Sequence, residues 1–245
     1  GLADGPLPIR FENVDFAYED GEPVLEHVSF TLPAGRTLGL LGRTGSGKTT
    51  LTRLLFRLYD ANAGTICLGG TDLAEMDPQY VRSKVAMVTQ DVQLFHATVR
   101  DNLTFFDARH TDEEIVRVIR EIGLGEWYAG LPLGLDTELA PGGGDLSAGQ
   151  AQLLALARVF LTDPSVVVLD EPSSRLDPAT ERLLETAMHR LLEGRTGIII
   201  AHRLATVQRV DDIMIVEEGR IVEFGVRSDL VHDPGSHFSG LLKTG

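Results

Sequence analysis

The pattern along the chain changes from mixed apolar and polar segments near the start to short runs that are almost wholly apolar. The segments "IRFENVDFAY" and "PVLEHVSFTL" are rich in β-branched and aromatic residues and are joined by the turn-forming "EDGE". They predict a small antiparallel sheet near the start of the chain. Runs without alternation are typical of parallel strands covered on both faces. Such runs occupy Leu38 to Leu41, Val85 to Val88, Val166 to Leu169 and Ile198 to Ala201.

Helices with readable ends lie between and around these runs. "TDEEIVRVIREIG" places Thr111 and Glu114 at capping-box spacing before an apolar stripe. In "LDPATERLLETAMHRLLEG", Asp177 stands as the N-cap and Pro178 at the first helical position. The segment "IMIVEEGRIVEFG" reads as a hairpin. This order of elements predicts an α/β fold.

Composition narrows the possible functions. The 245 residues carry a formal charge of -14 and a pI near 4.9. This charge argues against a nucleic-acid partner, because duplex affinity comes largely from Lys and Arg. No apolar run approaches the roughly 18 residues of a membrane span, and the N-terminus lacks the pattern of a signal peptide. The single cysteine, Cys67, is expected to be a small apolar strand residue.

Polar groups follow each apolar run, where ligands bind in open parallel sheets. The first run ends in "GRTGSGKTT", which fills the phosphate-loop pattern G-x-x-x-x-G-K-[ST] between a strand and a helix. Lys48 is expected to pair the β- and γ-phosphates, and the Thr49 hydroxyl and Asp170 to ligate Mg²⁺. The alternative, a chance glycine-rich turn, does not explain this context. The residues predicted to cradle the phosphates are Gly42, Arg43, Thr44, Gly45, Ser46, Gly47, Lys48, Thr49 and Thr50.

Glu171 follows Asp170 directly. One carboxylate for the metal and one left over would make Glu171 the general base for an attacking water. An exposed acid, or a partner for a following helix, fits the same position. The residues alone leave this choice open.

Six motifs in order, "GRTGSGKTT", "VTQD", "LSAGQ", "VVVLDEP", "SSRLD" and "IIIAHRL", resemble the nucleotide-binding domain of ABC transporters. "LFHATVRDNL" and "HRLATVQRVDDIMIVEEGRIVEFG" are most similar to the exporter branch. The resemblance covers essentially the whole chain, residues 1–245. It implies a P-loop ATPase core with a mostly parallel sheet, an N-terminal antiparallel β subdomain and a helical subdomain inserted at about 91–160.

The resemblance also implies roles for single residues. Glu171 matches the catalytic glutamate. Tyr18 matches the aromatic residue that stacks on adenine, although a surface strand tyrosine would look the same. Gln90 matches the glutamine that contacts Mg²⁺ and the water, in a loop that touches the transmembrane partner. His202 matches the histidine at the γ-phosphate, where an ordinary polar residue is the alternative, and Asp177 matches a residue that crosses between two domains or simply caps its helix.

"LSAGQ" opens a second helix with a second glycine-containing loop. Ser147 and Gln150 stand at capping-box spacing, so the segment presents a helix N-terminus that can receive an anion. It has no lysine and no metal ligand, which makes it half a site. In the family, this loop closes over ATP held by the other domain of a dimer. The implied lid residues are Ser147, Ala148, Gly149 and Gln150.

Departures from the family pattern cluster around this lid. Ala148 replaces a usual glycine, Ala151 and Leu153 replace two common arginines, and Arg175 replaces a small residue. Such drift beside an intact Glu171 favours a heterodimeric exporter.

The expected function is therefore ATP hydrolysis that powers export from the cytoplasmic side of a membrane, through a fused or associated transmembrane domain. Two alternatives remain at this point: a nucleic-acid ATPase of the same superfamily, and a regulatory module that binds ATP with little turnover.

Overall fold

The structure is a computed structural model that describes residues 2–19, 21–170 and 176–244. These residues divide into two compact units. The first draws on the segments Gly1–Met87, Ser165–Glu171 and Gly194–Gly245. The second draws on Val88–Pro164 and Pro172–Glu193. The helical insertion predicted at about 91–160 falls within the second unit, and its standing as a subdomain stays a prediction.

A four-stranded sheet in the first unit has the order β2-β1-β4-β5. Strands β1 and β2 pair antiparallel, as their β-branched and aromatic composition and the turn between them predict. The register shifts between Phe11 and Val14, where Asn13 adopts a positive φ of 48°. This irregularity keeps Phe11, Val14 and Phe16 all buried. The strands are β1 (Ile9–Phe16), β2 (Leu25–Leu32), β4 (Ala63–Leu68) and β5 (Thr71–Asp72).

A six-stranded sheet in the same unit has the order β10-β9-β3-β8-β7-β6. Strand β3 lies parallel between β9 and β8, and β8 is parallel to β7. Strand β10 returns antiparallel to β9, which confirms the predicted hairpin. All four apolar runs are therefore strands of one sheet. The strands are β3 (Thr37–Leu41), β6 (Val85–Val88), β7 (Val166–Asp170), β8 (Thr196–Ile200), β9 (Asp212–Glu217) and β10 (Arg220–Val226).

Apolar side chains from both sheets and from α1 form one buried cluster. The rings of Phe11 and Phe30 stack within it at a centroid distance of 4.8 Å. Leu51 and Leu54 of α1 belong to the same cluster, so the core fixes that helix against the strands. The helices of the first unit are α1 (Lys48–Leu55), α2 (Pro78–Lys84), α8 (Arg227–His232) and α9 (His237–Thr244).

The second unit is helical. Thr111 and Glu114 form the predicted capping box at the start of α4. Arg158 of α6 is 7% exposed and donates from Nε to the carbonyl oxygen of Asn102, and burial lowers the pKa of its guanidinium to about 10. No helix among the described residues combines the length and apolar composition that a bilayer crossing requires. The helices are α3 (Val99–Thr104), α4 (Asp112–Glu121), α5 (Gly125–Ala129), α6 (Ala148–Thr162) and α7 (Pro178–Leu192).

Candidate nucleotide-binding site

The glycine-rich loop connects β3 to α1 and has little room for side chains. A Cβ on Gly42 would lie 2.3 Å from the carbonyl oxygen of Val216, and a Cβ on Gly47 would lie 2.7 Å from Leu25 Cδ2. Both residues have positive φ, at 149° and 110°. Glycine is therefore required at both positions by steric contact as well as by conformation.

Lys48 lies inside this loop with 5% of its surface exposed. Its Nζ donates to the carbonyl oxygens of Gly42 at 2.6 Å and Arg43 at 2.9 Å. Burial lowers the pKa of the ammonium group, and the Asp170 carboxylate acts in the opposite direction. The loop thus holds a partly desolvated cation, whose three N–H donors can turn to phosphate oxygens.

The first turn of α1 suits an anion. Its N-cap is Gly47, which supplies no side-chain hydrogen bond, and the turn contains no acidic residue. By contrast, Ser147 caps α6 and Asp177 caps α7 through their own side-chain oxygens. Uncapped N–H groups and the helix dipole together favour a bound phosphate at α1.

Asp170 and His202 meet next to this loop. Asp170 ends β7 and His202 follows β8, and Nε2 of the histidine lies 3.7 Å from Oδ1 of the aspartate. The same aspartate acts electrostatically on Lys48. Three residues predicted from separate motifs therefore lie at one edge of the six-stranded sheet.

The protein oxygens beside the phosphate loop can bind Mg²⁺ only together with further oxygen atoms from a ligand. Oδ1 of Asp170 is fully buried, and the Thr49 hydroxyl belongs to the first turn of α1. No group of three or more His, Cys, Asp or Glu side chains in the described part of the chain could hold a metal. Mg²⁺ usually binds through one or two protein oxygens together with substrate phosphates. The donor set fits that mode.

Tyr18 lies beside α1. Its hydroxyl is 3.1 Å from Thr50 Oγ1 and accepts a hydrogen bond of 3.1 Å from Arg53 Nη1. Burial raises the pKa of the phenol, but these hydrogen bonds and the charge of Arg53 lower it by more, so the net pKa lies below the ordinary value. The predicted base-stacking residue is thus joined to the helix that follows the phosphate loop.

The predicted lid residues, together with Gln90 and Asp177, belong to the second unit. Ser147 and Gln150 form the capping box of α6: Oγ accepts from the Gln150 N–H at 3.1 Å, and Oε1 accepts from the Ser147 N–H at 2.9 Å. Asp177 caps α7 by accepting from the backbone N–H groups of Ala179 and Thr180. Gln90 has an exposed side chain.

Some predicted residues lie outside the described part of the chain. Glu171, the predicted general base, is one of them, and Arg175 is another. The role of Glu171 stays a prediction.

Sequence patterns did not indicate two further contacts. Gln152, which is 5% exposed, donates from Nε2 to the carbonyl oxygen of Gln90 at 2.5 Å. Arg53 reaches Tyr18 across 35 positions. Both are long-range contacts of single polar side chains, and no local spacing predicts them.

A family profile described as "ABC transporter" matches residues 25–174. The chain belongs to the ABC transporter family. A solved structure titled "Structure of a bacterial Atm1-family ABC exporter with ATP bound" aligns with a TM-score of 0.89 and 32% identity, over 100% of this chain and 42% of that one. The α/β P-loop fold and the exporter-type resemblance are thereby confirmed. This part of an ABC transporter is its ATP-binding domain, an ATPase.

Two curated relatives illustrate the similarity. An uncharacterized ABC transporter ATP-binding protein, YknV, of Bacillus subtilis (strain 168) is 40% identical over 96% of this chain and 39% of its own length. An ATP-dependent lipid A-core flippase of Vibrio cholerae is 40% identical over 94% of this chain and 40% of its own length. The chain thus spans about two fifths of the ABC transporters that it matches.

Proposed function

We propose that this domain hydrolyses ATP to power export of a substrate across a membrane, and that two such domains close around the nucleotide. The observation that carries the proposal is the meeting of Lys48, Asp170 and His202 beside an uncapped helix N-terminus. These groups all belong to the first unit. They supply the phosphate cradle, while the Ser147 lid belongs to the second unit.

The chemistry assigned to the chain is attack of water on the γ-phosphorus. Lys48 binds the β- and γ-phosphates, and His202 donates to the γ-phosphate. Glu171 accepts the proton of the attacking water as the new P–O bond forms and the bond to the β–γ bridging oxygen breaks, releasing ADP and phosphate. Thr49 and Asp170 of the first unit would hold Mg²⁺, which neutralises phosphate charge when bound.

The composition of the lid is the reason to propose a dimer. Ser147 and the first N–H groups of α6 can donate to a phosphate, but this helix start has no cation of its own in its first turn. A lid from one domain and a cradle from another complete one site, so two domains make two sites. Asp177 is the N-cap of α7, and Thr180 in the first turn of that helix lies against Gly149 of the lid. This contact supports the role proposed for Asp177 as a crossing residue.

An exposed aromatic surface on the second unit supports a transmembrane partner. Phe95, Phe105 and Phe106 are 43%, 53% and 63% exposed, and the ring of Phe95 lies 6.2 and 6.0 Å from the other two. The Arg158 guanidinium lies 4.7 Å from the Phe105 ring centroid. Exposed clusters of this kind mark interaction sites. The partner proposed here is the transmembrane domain, which would hold the chain at the cytoplasmic side of a membrane.

The lid of this chain favours a heterodimer. Leu153, where the family commonly has arginine, is 2% exposed and packs inside its unit. Ala148 is exposed at the first position of α6. The altered positions therefore keep the helix intact. Leu153 also removes a charge that is common in the family, which fits a partner domain with a different cradle.

The test of ATP binding is Lys48→Ala. Calorimetry should show that most ATP affinity is lost, because the cation in the loop is removed. Lys84→Ala is the matched control, since Lys84 lies on α2 and pairs with Asp4 instead. Equal ATP affinity in Lys48→Ala and the parent chain would refute the assignment of the cradle.

The test of the dimer uses Glu171→Gln, which keeps the shape of the side chain but cannot accept the proton. Hydrolysis should fall by about 10² or more while ATP binding survives. Light scattering with ATP and Mg²⁺ should then show a dimer that stays closed around ATP. The measurement is made with this chain alone and with this chain mixed with the proposed partner domain. Adding Ser147→Ala should weaken that pair and spare monomer binding. Loss of monomer binding in Ser147→Ala would place the lid in its own chain's site.

A further inference from the structure

Three aromatic side chains of the first unit lie against one another, and the predicted base-stacking residue, Tyr18, is one of them. The Tyr18 ring is 4.9 Å from Phe16 and 5.2 Å from Tyr59, and both rings stand almost perpendicular to it, at 85° and 87°. Phe16 and Tyr59 are themselves 5.6 Å apart. Edge-to-face contacts at such distances stabilise the two ring pairs that include Tyr18 and fix the orientation of its ring.

Tyr59 differs from Phe16 in its exposure. Phe16 is 4% exposed and belongs to the core, while Tyr59 is 44% exposed in the segment that follows α1. Tyr59 therefore contributes little to core burial. What its ring does contact is the aromatic pair formed by Phe16 and Tyr18.

The polar end of Tyr18 is held by the same part of the chain. Thr50 and Arg53 of α1 contact its hydroxyl oxygen, each at 3.1 Å. Tyr59 comes four residues after the end of α1 and contacts the Tyr18 ring. One continuous segment, which begins at the phosphate loop, thus holds both ends of the Tyr18 side chain.

We propose that Tyr59 is a positioning residue that holds the Tyr18 ring at a fixed place relative to the phosphate loop. The segment 48–59 then sets the spacing between the group that binds phosphates and the ring that binds a base. The ligand class selected is a nucleoside triphosphate with an aromatic base, in preference to a bare polyphosphate. This inference rests on the proposed ATP-binding function.

The experiment compares two ligands by calorimetry in the presence of Mg²⁺: ATP and inorganic tripolyphosphate. Tyr59→Leu should weaken ATP binding by about fivefold, the order of one aromatic pair, and leave tripolyphosphate binding unchanged. Tyr59→Phe should restore ATP binding to within about twofold, because the ring is kept. Leu58→Ala is the matched control, since Leu58 is the adjacent residue, is 53% exposed and lacks a ring.

A double-mutant cycle shows whether Tyr59 acts through Tyr18. In a Tyr18→Leu background, Tyr59→Leu should cause no further loss of ATP affinity. A further loss would mean that Tyr59 contacts the base itself, and would overturn the positioning role. Equal loss for ATP and tripolyphosphate would also overturn it, because α1 would then be disturbed. Failure of the proposed function would appear separately, as undiminished binding of both ligands to Lys48→Ala.

Discussion

At the scale of single residues, Lys48 combines burial with a charge. It donates to carbonyl oxygens of its own loop, and a phosphate would replace these acceptors with charged ones. The sequence motif predicts that Lys48 meets phosphates. The lowered pKa could not be predicted, because it depends on how far the folded loop removes the side chain from water.

ATP affinity should therefore begin to fall at a lower pH than it would if Lys48 had the pKa of an ordinary lysine. The protonated form binds the phosphates, and burial has moved the pKa of Lys48 below that of an ordinary lysine. Binding favours the charged form, so affinity is retained below the lowered pKa and lost as pH rises through it. Calorimetry between about pH 7 and 10 measures this.

Lys48→Arg supplies the comparison, because arginine stays protonated over this range. The arginine variant should show a flat dependence of ATP affinity on pH, whatever its absolute affinity. A parallel decline in both chains would assign the effect to another group.

At the scale of elements, the starts of α6 and α7 are packed against each other. A Cβ added to Gly149 would lie 2.0 Å from Thr180 Cγ2 and 3.7 Å from Leu176 Cδ2. Ala148, the preceding residue, is exposed. Gly149 of the lid is thus needed for helix packing within this chain. Ala148, where the family usually has another glycine, has room for its side chain.

Gly149→Ala should destabilise the fold by about 1–3 kcal/mol, measured from the midpoint of urea unfolding. The sign of this change in the free energy of unfolding is informative, since a glycine-to-alanine substitution inside a helix is otherwise stabilising. Gly144→Ala is the control: its φ is -54° and the nearest atom to an added Cβ is 3.9 Å away. Equal midpoints for the two variants would contradict the packing argument.

The elements themselves were largely predictable. Capping boxes at Thr111 and Ser147 and the apolar runs are local patterns, and local physics decides them. The irregularity at Asn13 was not predicted, although apolar positions three apart at Phe11 and Val14 contain its signal. The network around Tyr18 had no signal, because it depends on tertiary contacts across 32 and 35 positions.

At the scale of the whole molecule, charge opposes association of two copies. Each carries a formal charge of -14. Repulsion between like-charged proteins is long-ranged at low salt, where the Debye length is about 30 Å at 0.01 M, and short-ranged at about 8 Å in 0.15 M. Closure of a pair therefore has to overcome a repulsion that depends on the buffer.

The ATP-trapped pair of Glu171→Gln chains should accordingly become more stable as NaCl rises from about 10 to 150 mM. Light scattering at a fixed saturation with ATP measures the change. The monomer's affinity for ATP serves as the internal reference and should move the other way, because salt screens the attraction between Lys48 and phosphate. Weaker pairing at higher salt would show that local opposite charges govern the interface.

During translation, β3 and the phosphate loop are synthesised long before β8 and β9, the strands that flank β3 in the sheet. Thr37 pairs with Gly197, and Leu38 pairs with Asp212. The emerging chain therefore carries the glycine-rich loop with neither neighbouring strand in place until β8 and then β9 have been synthesised. Sheets built from such distant pairings form slowly. The nascent domain consequently acquires its nucleotide cradle only after β9 has been synthesised, and a chain truncated before β9 should not bind ATP.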